Sequence, residues 1–370
     1  MGFHRHLIAG TALAALVFIA PEVSAQDSAS GRVGNTTVTV GVGAGSLFLP
    51  DVRFGQVEDN TFNTTGKQNN NDFDGEYGLA VNGGVEFPAN GMSGGPKTIA
   101  VQGFYSRIED DSTTFCNGIA GTQRCGWAPI INNGSPKIGF NGGDDTTLRT
   151  DRDVDHWGIS AEGRRHTGGG GGLKDGPSGK RRYVALGADI RGIDQDIRIR
   201  GNEVQTPANA LTYTEDLDTT YYGVFAAYGG DYSLPFFSGM TSGMGLKSSF
   251  RFWGGIYVAD TDYDGTYATA GPTLATVNQT LSLSEEEAAF IGGLTLETRK
   301  QLNPRTTISL RSDYTYYSYA PEMRYNDIGN TGTGPNVGTS ISDDSAFSTR
   351  TTLRLTIKLG PREIMEPPLK

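Results

Sequence analysis

The chain has 370 residues with 31 Lys and Arg against 41 Asp and Glu, and its formal charge of −10 argues against non-specific binding of nucleic acid. Gly reaches 53 residues, about twice ordinary usage, while hydrophobic residues make up only 36% of the chain. Beyond the amino terminus no apolar run approaches the length of a membrane-crossing helix. No stretch sustains a 3.6-residue apolar period either, which excludes a helical membrane protein.

At the amino terminus, His4, Arg5 and His6 precede the apolar run Leu7 to Ala20, followed by Pro21-Glu22-Val23-Ser24-Ala25. A basic start, a short apolar stretch and small residues at −3 and −1 define an export signal cleaved after Ala25. The 14-residue run is short of the roughly 20 residues that span a bilayer. The expected division is therefore a cleaved signal over 1–25, a single body over 26–360 and a tail over 361–370.

Ten segments then alternate with the two-residue period of β-strands. Thr37 to Phe48 sets Val38, Val40, Val42 and Ala44 against Thr37, Thr39, Gly41 and Gly43. Glu76 to Phe87 sets Tyr77, Leu79, Val81, Val85 and Phe87 against Glu76, Asn82 and Glu86. Lys97 to Arg107 alternates Ile99, Val101 and Tyr105 with Gln102 and Ser106, and Asp155 to Arg164 alternates Trp157, Ile159 and Ala161 with His156, Ser160 and Glu162. In Arg182 to Ile193 the rows are Val184, Leu186, Ala188 and Ile190 against Tyr183, Asp189 and Arg191. Thr219 to Tyr228 is apolar on both faces, so its register stays open. Leu246 to Val258 sets Phe250, Phe252, Ile256 and Val258 against Lys247, Ser249, Arg251 and Tyr257. Ala289 to Arg299 sets Phe290, Leu294 and Leu296 against Thr295, Glu297 and Arg299. Thr306 to Tyr317 sets Ile308, Leu310, Tyr314 and Tyr316 against Ser309, Arg311 and Asp313. The last segment, Phe347 to Leu359, ends with Leu353, Leu355, Ile357 and Leu359 facing away from Thr352, Arg354, Thr356 and Lys358.

These segments run about 10 to 13 residues, enough to cross a bilayer at a tilt and longer than ordinary sandwich strands. Connections over 49–75, 108–154, 194–218, 259–288 and 318–346 are long, and those between them are shorter. An all-β, antiparallel transmembrane barrel of ten strands is expected, with eight or twelve as alternatives, since Ile197–Arg200 and Leu211–Tyr213 either extend strands or add a hairpin. In these features the chain resembles the general class of Gram-negative outer-membrane β-barrel proteins. The resemblance implies a place in the cell outer membrane, contact with its lipid, assembly by the outer-membrane insertion machinery, and Asp-, Asn- and Gly-rich loops on the outer side. Unlike many members of that class, the final strand closes on Leu359 rather than an aromatic residue.

The inward positions collect Glu76, Glu86, Glu162, Asp189, Arg191, Lys247, Arg251, Glu297, Arg299, Arg311, Asp313, Arg354 and Lys358. In so narrow a barrel these charges are expected to pair into a packed interior, with an ion-selective small pore as the alternative. Tyr77, Tyr314, Tyr316, Tyr317 and Tyr319 are expected in an aromatic girdle at one membrane interface and Phe87 at the other. Cys116 and Cys125, in a polar stretch of an exported chain, are expected to form a local disulfide.

Three segments carry weak chemical signals. Asp260-Thr261-Asp262-Tyr263-Asp264-Gly265 matches the opening of a calcium loop, but Gly271 stands where its last ligand belongs. Asn70-Asn71-Asp72-Phe73-Asp74-Gly75 is a similar fragment with Val81 at that place. Both read as ordinary turns rather than metal sites. Asp151-Arg152-Asp153-Val154-Asp155-His156 places a histidine among carboxylates at the outer rim of a strand. Ten strands with such a pair are similar to the omptin-type surface proteases, which implies a hydrolase with a second acidic pair across a cleft. No motif marks that second pair, so His156 reads as a rim histidine bonded to Asp155 in a solvated loop. His166 and the glycine run 168–172 read as a basic, flexible turn on the periplasmic side. No catalytic, cofactor or metal residue is assigned. The expected function is a structural or small porin-like outer-membrane barrel, with an omptin-like hydrolase or a surface adhesin or receptor as alternatives.

Overall fold

The computed structural model describes residues 36–50, 52–59, 64–71, 77–89, 97–116, 123–126, 146–167, 182–232, 245–272, 276–324 and 340–360, with backbone alone over 52–59, 64–71, 114–116 and 123–126 and at 148, 167, 277 and 324. The signal segment 1–25, the glycine run 168–172 and the tail 361–370 lie outside these. The strands are β1 (Thr36–Phe48), β2 (Val52–Asp59), β3 (Thr64–Asn71), β4 (Tyr77–Pro88), β5 (Lys97–Cys116), β6 (Gln123–Gly126), β7 (Thr146–Thr167), β8 (Arg182–Glu203), β9 (Ala210–Tyr232), β10 (Leu246–Ala270), β11 (Val277–Gln301), β12 (Thr306–Arg324) and β13 (Ser340–Leu359).

Ten of them close a barrel in the order β1-β13-β12-β11-β10-β9-β8-β7-β5-β4, all neighbours antiparallel. β1 seals it, pairing Thr36 with Leu359 on one side and Thr37 with Glu86 on the other. Closure leaves no open edge, so every barrel strand has a hydrogen-bonded neighbour on both sides. The strands β3, β2 and β6 form a separate small sheet drawn from two of the expected long connections.

The expected faces hold on every barrel strand. Val40, Val42, Leu79, Ile99, Ile159, Leu186, Val224, Ile256, Phe290, Leu310, Leu353 and Leu355 are exposed on the outer surface. The doubtful strand also resolves: Tyr222, Val224, Ala226 and Tyr228 face out, and Tyr221, Phe225 and Ala227 face in. A continuous belt of this kind is intolerable in water and is what a hydrocarbon solvent requires.

Two expectations change. The connections over 194–218 and 259–288 are mostly sheet rather than loop, since β8 to β11 run 22, 23, 25 and 25 residues. About 9–11 tilted residues cross a bilayer, so each of these strands continues well beyond it. The chain termini of the barrel, Thr36 and Leu359, lie at the opposite end, beside the tight 302–305 turn. The second change concerns Tyr317 and Tyr319, which are buried inside rather than in the girdle, while Tyr314 and Tyr316 do face outward. A bulge between Tyr317 and Ala320 shifts the β12–β13 register just past them.

Leu353 pairs with Val42 and Leu310 midway along the apolar row of β13. Leu353→Arg is expected to cost about 2–4 kcal/mol, because the charge must sit in hydrocarbon. Thr266→Arg, on the outer face of β10 beyond the belt, should change stability by no more than about 0.5 kcal/mol. Urea titration of both variants folded into vesicles checks the contrast.

Candidate functional site

The bore at the level of the belt is filled by ion pairs. Glu162 on β7 accepts from Arg164 at 2.5 Å and from Arg251 on β10 at 2.8 Å. Arg164 also reaches Glu86 on β4 at 2.7 Å. Arg311 pairs with Asp313 at 2.8 Å and donates across the bore to Gln102 on β5 at 3.1 Å. Asp313 further accepts from Thr295 at 2.7 Å and faces Arg350 at 3.4 Å. Arg191 pairs with Asp189 at 2.6 Å, Arg354 with Glu297 at 3.7 Å and Arg299 with Asp231 at 3.1 Å. The guanidinium groups also lie on aromatic faces, Arg191 over Trp253 at 4.3 Å and Arg350 over Phe104 at 3.9 Å. Inward glycines make the room: a Cβ on Gly41 would lie 2.7 Å from the Arg354 side chain. Arg164 and Arg350 are absent from the expected lumen set, although each keeps the parity of an inward residue already in it, Glu162 and Arg354.

Above the ionic layer an aromatic layer crosses the bore. The Phe104 ring stands edge-on to His156 at 4.9 Å, and the His156 Nε2 and Tyr317 hydroxyl are hydrogen-bonded at 2.7 Å. Tyr317 contacts Tyr221 at 5.4 Å, and the Tyr221 hydroxyl donates to the Tyr319 carbonyl at 3.0 Å. Tyr221, Tyr317 and Tyr319 belong to a cluster with Leu47, Ile108, Val154, Ile193 and Ile291. Outside, at the same height, Tyr105 donates to Asp155 at 2.7 Å and Trp157 to Asp194 at 3.0 Å. The girdle rings thus keep their bodies toward lipid and their polar atoms toward water. An apolar belt outside and a paired ionic filling inside are what a barrel in lipid demands.

The described strands form a lipid-facing, transmembrane β-barrel.

No family model and no curated sequence matches the chain. Among solved structures the barrel is similar to the outer membrane protease OmpT from Escherichia coli, at 10% identity and a TM-score of 0.40, over 90% of this chain and 99% of that one. It is also similar to a Pseudomonas aeruginosa FadL homologue, at 10% identity and a TM-score of 0.23, over 87% and 90% of the two chains. A third is the P. putida toluene transporter TodX, at 8% identity and a TM-score of 0.20, over 89% and 91%.

The sequence-marked residues fall in unexpected places. Asp155 and His156 are strand neighbours and point in opposite directions, Asp155 outward to Tyr105 and His156 into the bore. His156 is therefore neither a rim residue nor the partner of Asp155. His166 lies within β7 rather than in a turn, 3.3 Å from the Thr98 hydroxyl. Asp260, Asp262 and Asp264 lie along extended β10 with Thr261 and Tyr263 facing inward between them. Carboxylates two residues apart on one strand run parallel and do not converge on an ion. Among the described residues no three His, Cys, Asp or Glu side chains are placed to hold a metal. The Asn70 fragment ends β3, with residues 72–75 outside those described. The Cys116 and Cys125 side chains also lie outside them; their backbones end β5 and join β6.

One constellation went unread in the sequence. Glu109, Asp153, Asp196, Asp216 and Asp264 stand opposite one another across β5, β7, β8, β9 and β10. One step closer to the membrane, Asp155, Asp194, Asp218 and Asp262 form a second row. Like charges directly opposed across strands repel. Arg107, 2.8 Å from Glu109 and 3.4 Å from Asp153, relieves one end. Although Asp196 is exposed on the outer face, partial desolvation, a hydrogen bond to Asp216 and the charges of Asp216, Asp218 and Asp153 push its carboxyl up to about 8.

With its carboxyl raised to about 8, Asp196 is expected to hold a proton in the folded barrel over a range where the unfolded chain, near the ordinary value of 3.8, has released it. A raised folded value gives stability that is complete below the unfolded value and lost as pH rises through the folded one. The midpoint of thermal unfolding should therefore fall between about pH 4 and 8, and Asp196→Asn should flatten that slope. Melting followed by circular dichroism at constant ionic strength is the check.

Proposed function

We propose that this chain is a closed, non-enzymatic outer-membrane barrel that holds a tall, water-facing upper barrel above the cell surface. The observation that carries the reading is the double stopper in the bore. The ionic layer centred on Glu162 and Asp313 lies beneath the aromatic layer Phe104–His156–Tyr317–Tyr221. The cavity left between them is about 50 Å³, room for a few waters. The upper barrel is also filled. Leu217, Tyr263 and Met323 pack inside it, and Tyr213 and Tyr263 share a hydrogen bond at 2.9 Å. Such a body suits display and surface contact, the receptor-like member of the alternatives, more than conduction. A hydrolase would need an accessible base, and His156 is 4% exposed with its Nε2 engaged by Tyr317.

Full-length protein reconstituted in planar bilayers should give no discrete conductance steps, and steps carried by the wild type would overturn the closed-bore reading. His156→Gln should lower the unfolding midpoint while leaving unchanged whatever peptide hydrolysis the purified wild type shows. Loss of a measurable hydrolytic activity in that variant would restore the enzyme reading.

A further inference from the structure

Among the described residues the ionic layer is out of balance by one charge. Its ion-paired arginines are Arg164, Arg191, Arg251, Arg311, Arg350 and Arg354, and its carboxylates are Glu86, Glu162, Asp189, Glu297 and Asp313: six against five. Arg299 and Asp231 form a pair of their own and do not alter the count. This layer lies behind the apolar belt, where an uncompensated charge is far more costly than at a surface.

The excess has a location. The 50 Å³ cavity is walled by Arg191, Arg251, Arg311, Arg350 and Arg354, with Asp189 and Asp313 as its acidic members. Arg354 is 7% exposed, its nearest carboxylate oxygen is 3.7 Å away, and its Nε has no partner. Arg350 faces Asp313 at only 3.4 Å and its Nε is also unpartnered, as is that of Arg251. Three buried donors, these Nε groups, and two buried acceptors, Asn82 Oδ1 and Asp189 Oδ1, are left without partners at residues lining one small polar cavity, whose walls carry five arginines against two carboxylates. A space with room for a few waters admits a small inorganic anion with water beside it.

We infer that the cavity holds one small inorganic anion of halide size, which neutralises the layer and accepts from the free Nε groups. The inference does not rest on the function proposed above, since a conducting barrel would still carry the six-to-five imbalance. The test uses full-length folded barrel titrated with chloride against gluconate at fixed ionic strength, so that screening stays constant. The readout is the temperature at which the folded gel band converts to the unfolded one.

The wild type should show a saturable rise of a few degrees, as expected for a ligand that binds only the folded state. Arg354→Gln restores five against five and should give a flat curve. Glu297→Gln raises the excess by one and should saturate at lower chloride. A wild-type curve that stays flat, or an Arg354→Gln curve that keeps the wild-type rise, overturns the inference. Should Arg354→Gln fail to fold, wild-type crystals grown in bromide decide the matter. An anomalous peak inside the cavity supports the site, and an empty cavity refutes it.

Discussion

A barrel that turns its apolar side chains to lipid leaves its bore to polar ones, and those must neutralise each other without help from bulk water. Glu162 is the hub of that arrangement. By accepting from Arg164 and Arg251 it joins β7 to β10, and through Arg164 it reaches Glu86 on β4. Asp313 does the same for β11, β12 and β13 through Thr295, Arg311 and Arg350. Each strand is held by its ladder neighbours, and the filling adds links between strands that are not neighbours. Removing one such carboxylate would strand its arginines in a low-dielectric bore, so the layer stands or falls together.

The upper half of the same strands obeys the opposite rule. Along β10 the outward residues Phe250, Phe252, Ile256 and Val258 give way to Asp260, Asp262 and Asp264. The inward row changes in step, from Lys247, Ser249 and Arg251 to Ala259, Tyr263 and Tyr267. The backbone does not change and side-chain parity is kept; only the solvent outside has changed from hydrocarbon to water. The girdle marks the crossing, and the aromatic layer inside it is where an ionic filling meets an apolar one. The structure is in this sense two barrels on one set of ladders, the lower turned inside out for lipid and the upper built like a water-soluble one.

That inversion explains how much of the fold was legible in the sequence. The lower halves were readable because apolar residues keep a single parity, as in Val184, Leu186 and Ile190. Past Gly192 the apolar residues of β8 are Ile193, Ile197 and Ile199, which have the other parity. A search for one apolar face stops there, and the Asp- and Arg-rich continuation looks like loop. β9 switches at Tyr221 and Tyr222, which is why that segment looked apolar on both faces. β12 switches at Tyr316 and Tyr317, which put Tyr317 and Tyr319 wrongly in the girdle. The apparent Asp155–His156 pair failed for the same reason of parity, since adjacent strand residues never share a face. The carboxylate rows depend on register between strands distant in sequence, which no local pattern contains.

Those rows follow from the inversion. A strand continued into water must put polar residues on its outer face, and five neighbouring strands do so with carboxylates at the same height. Asp153, Asp196 and Asp216 meet only because the β7–β8 and β8–β9 registers bring them level. A soluble sheet would be expected to stagger such charges or to alternate their sign. Here the ladders are fixed lower down, where the apolar belt and the Glu162 layer allow no slip. A one-residue shift would turn lipid-facing leucines inward and arginines outward. The upper barrel inherits that register, and its repulsion is relieved locally, by Arg107 at one end and by the raised proton affinity of Asp196 at the centre.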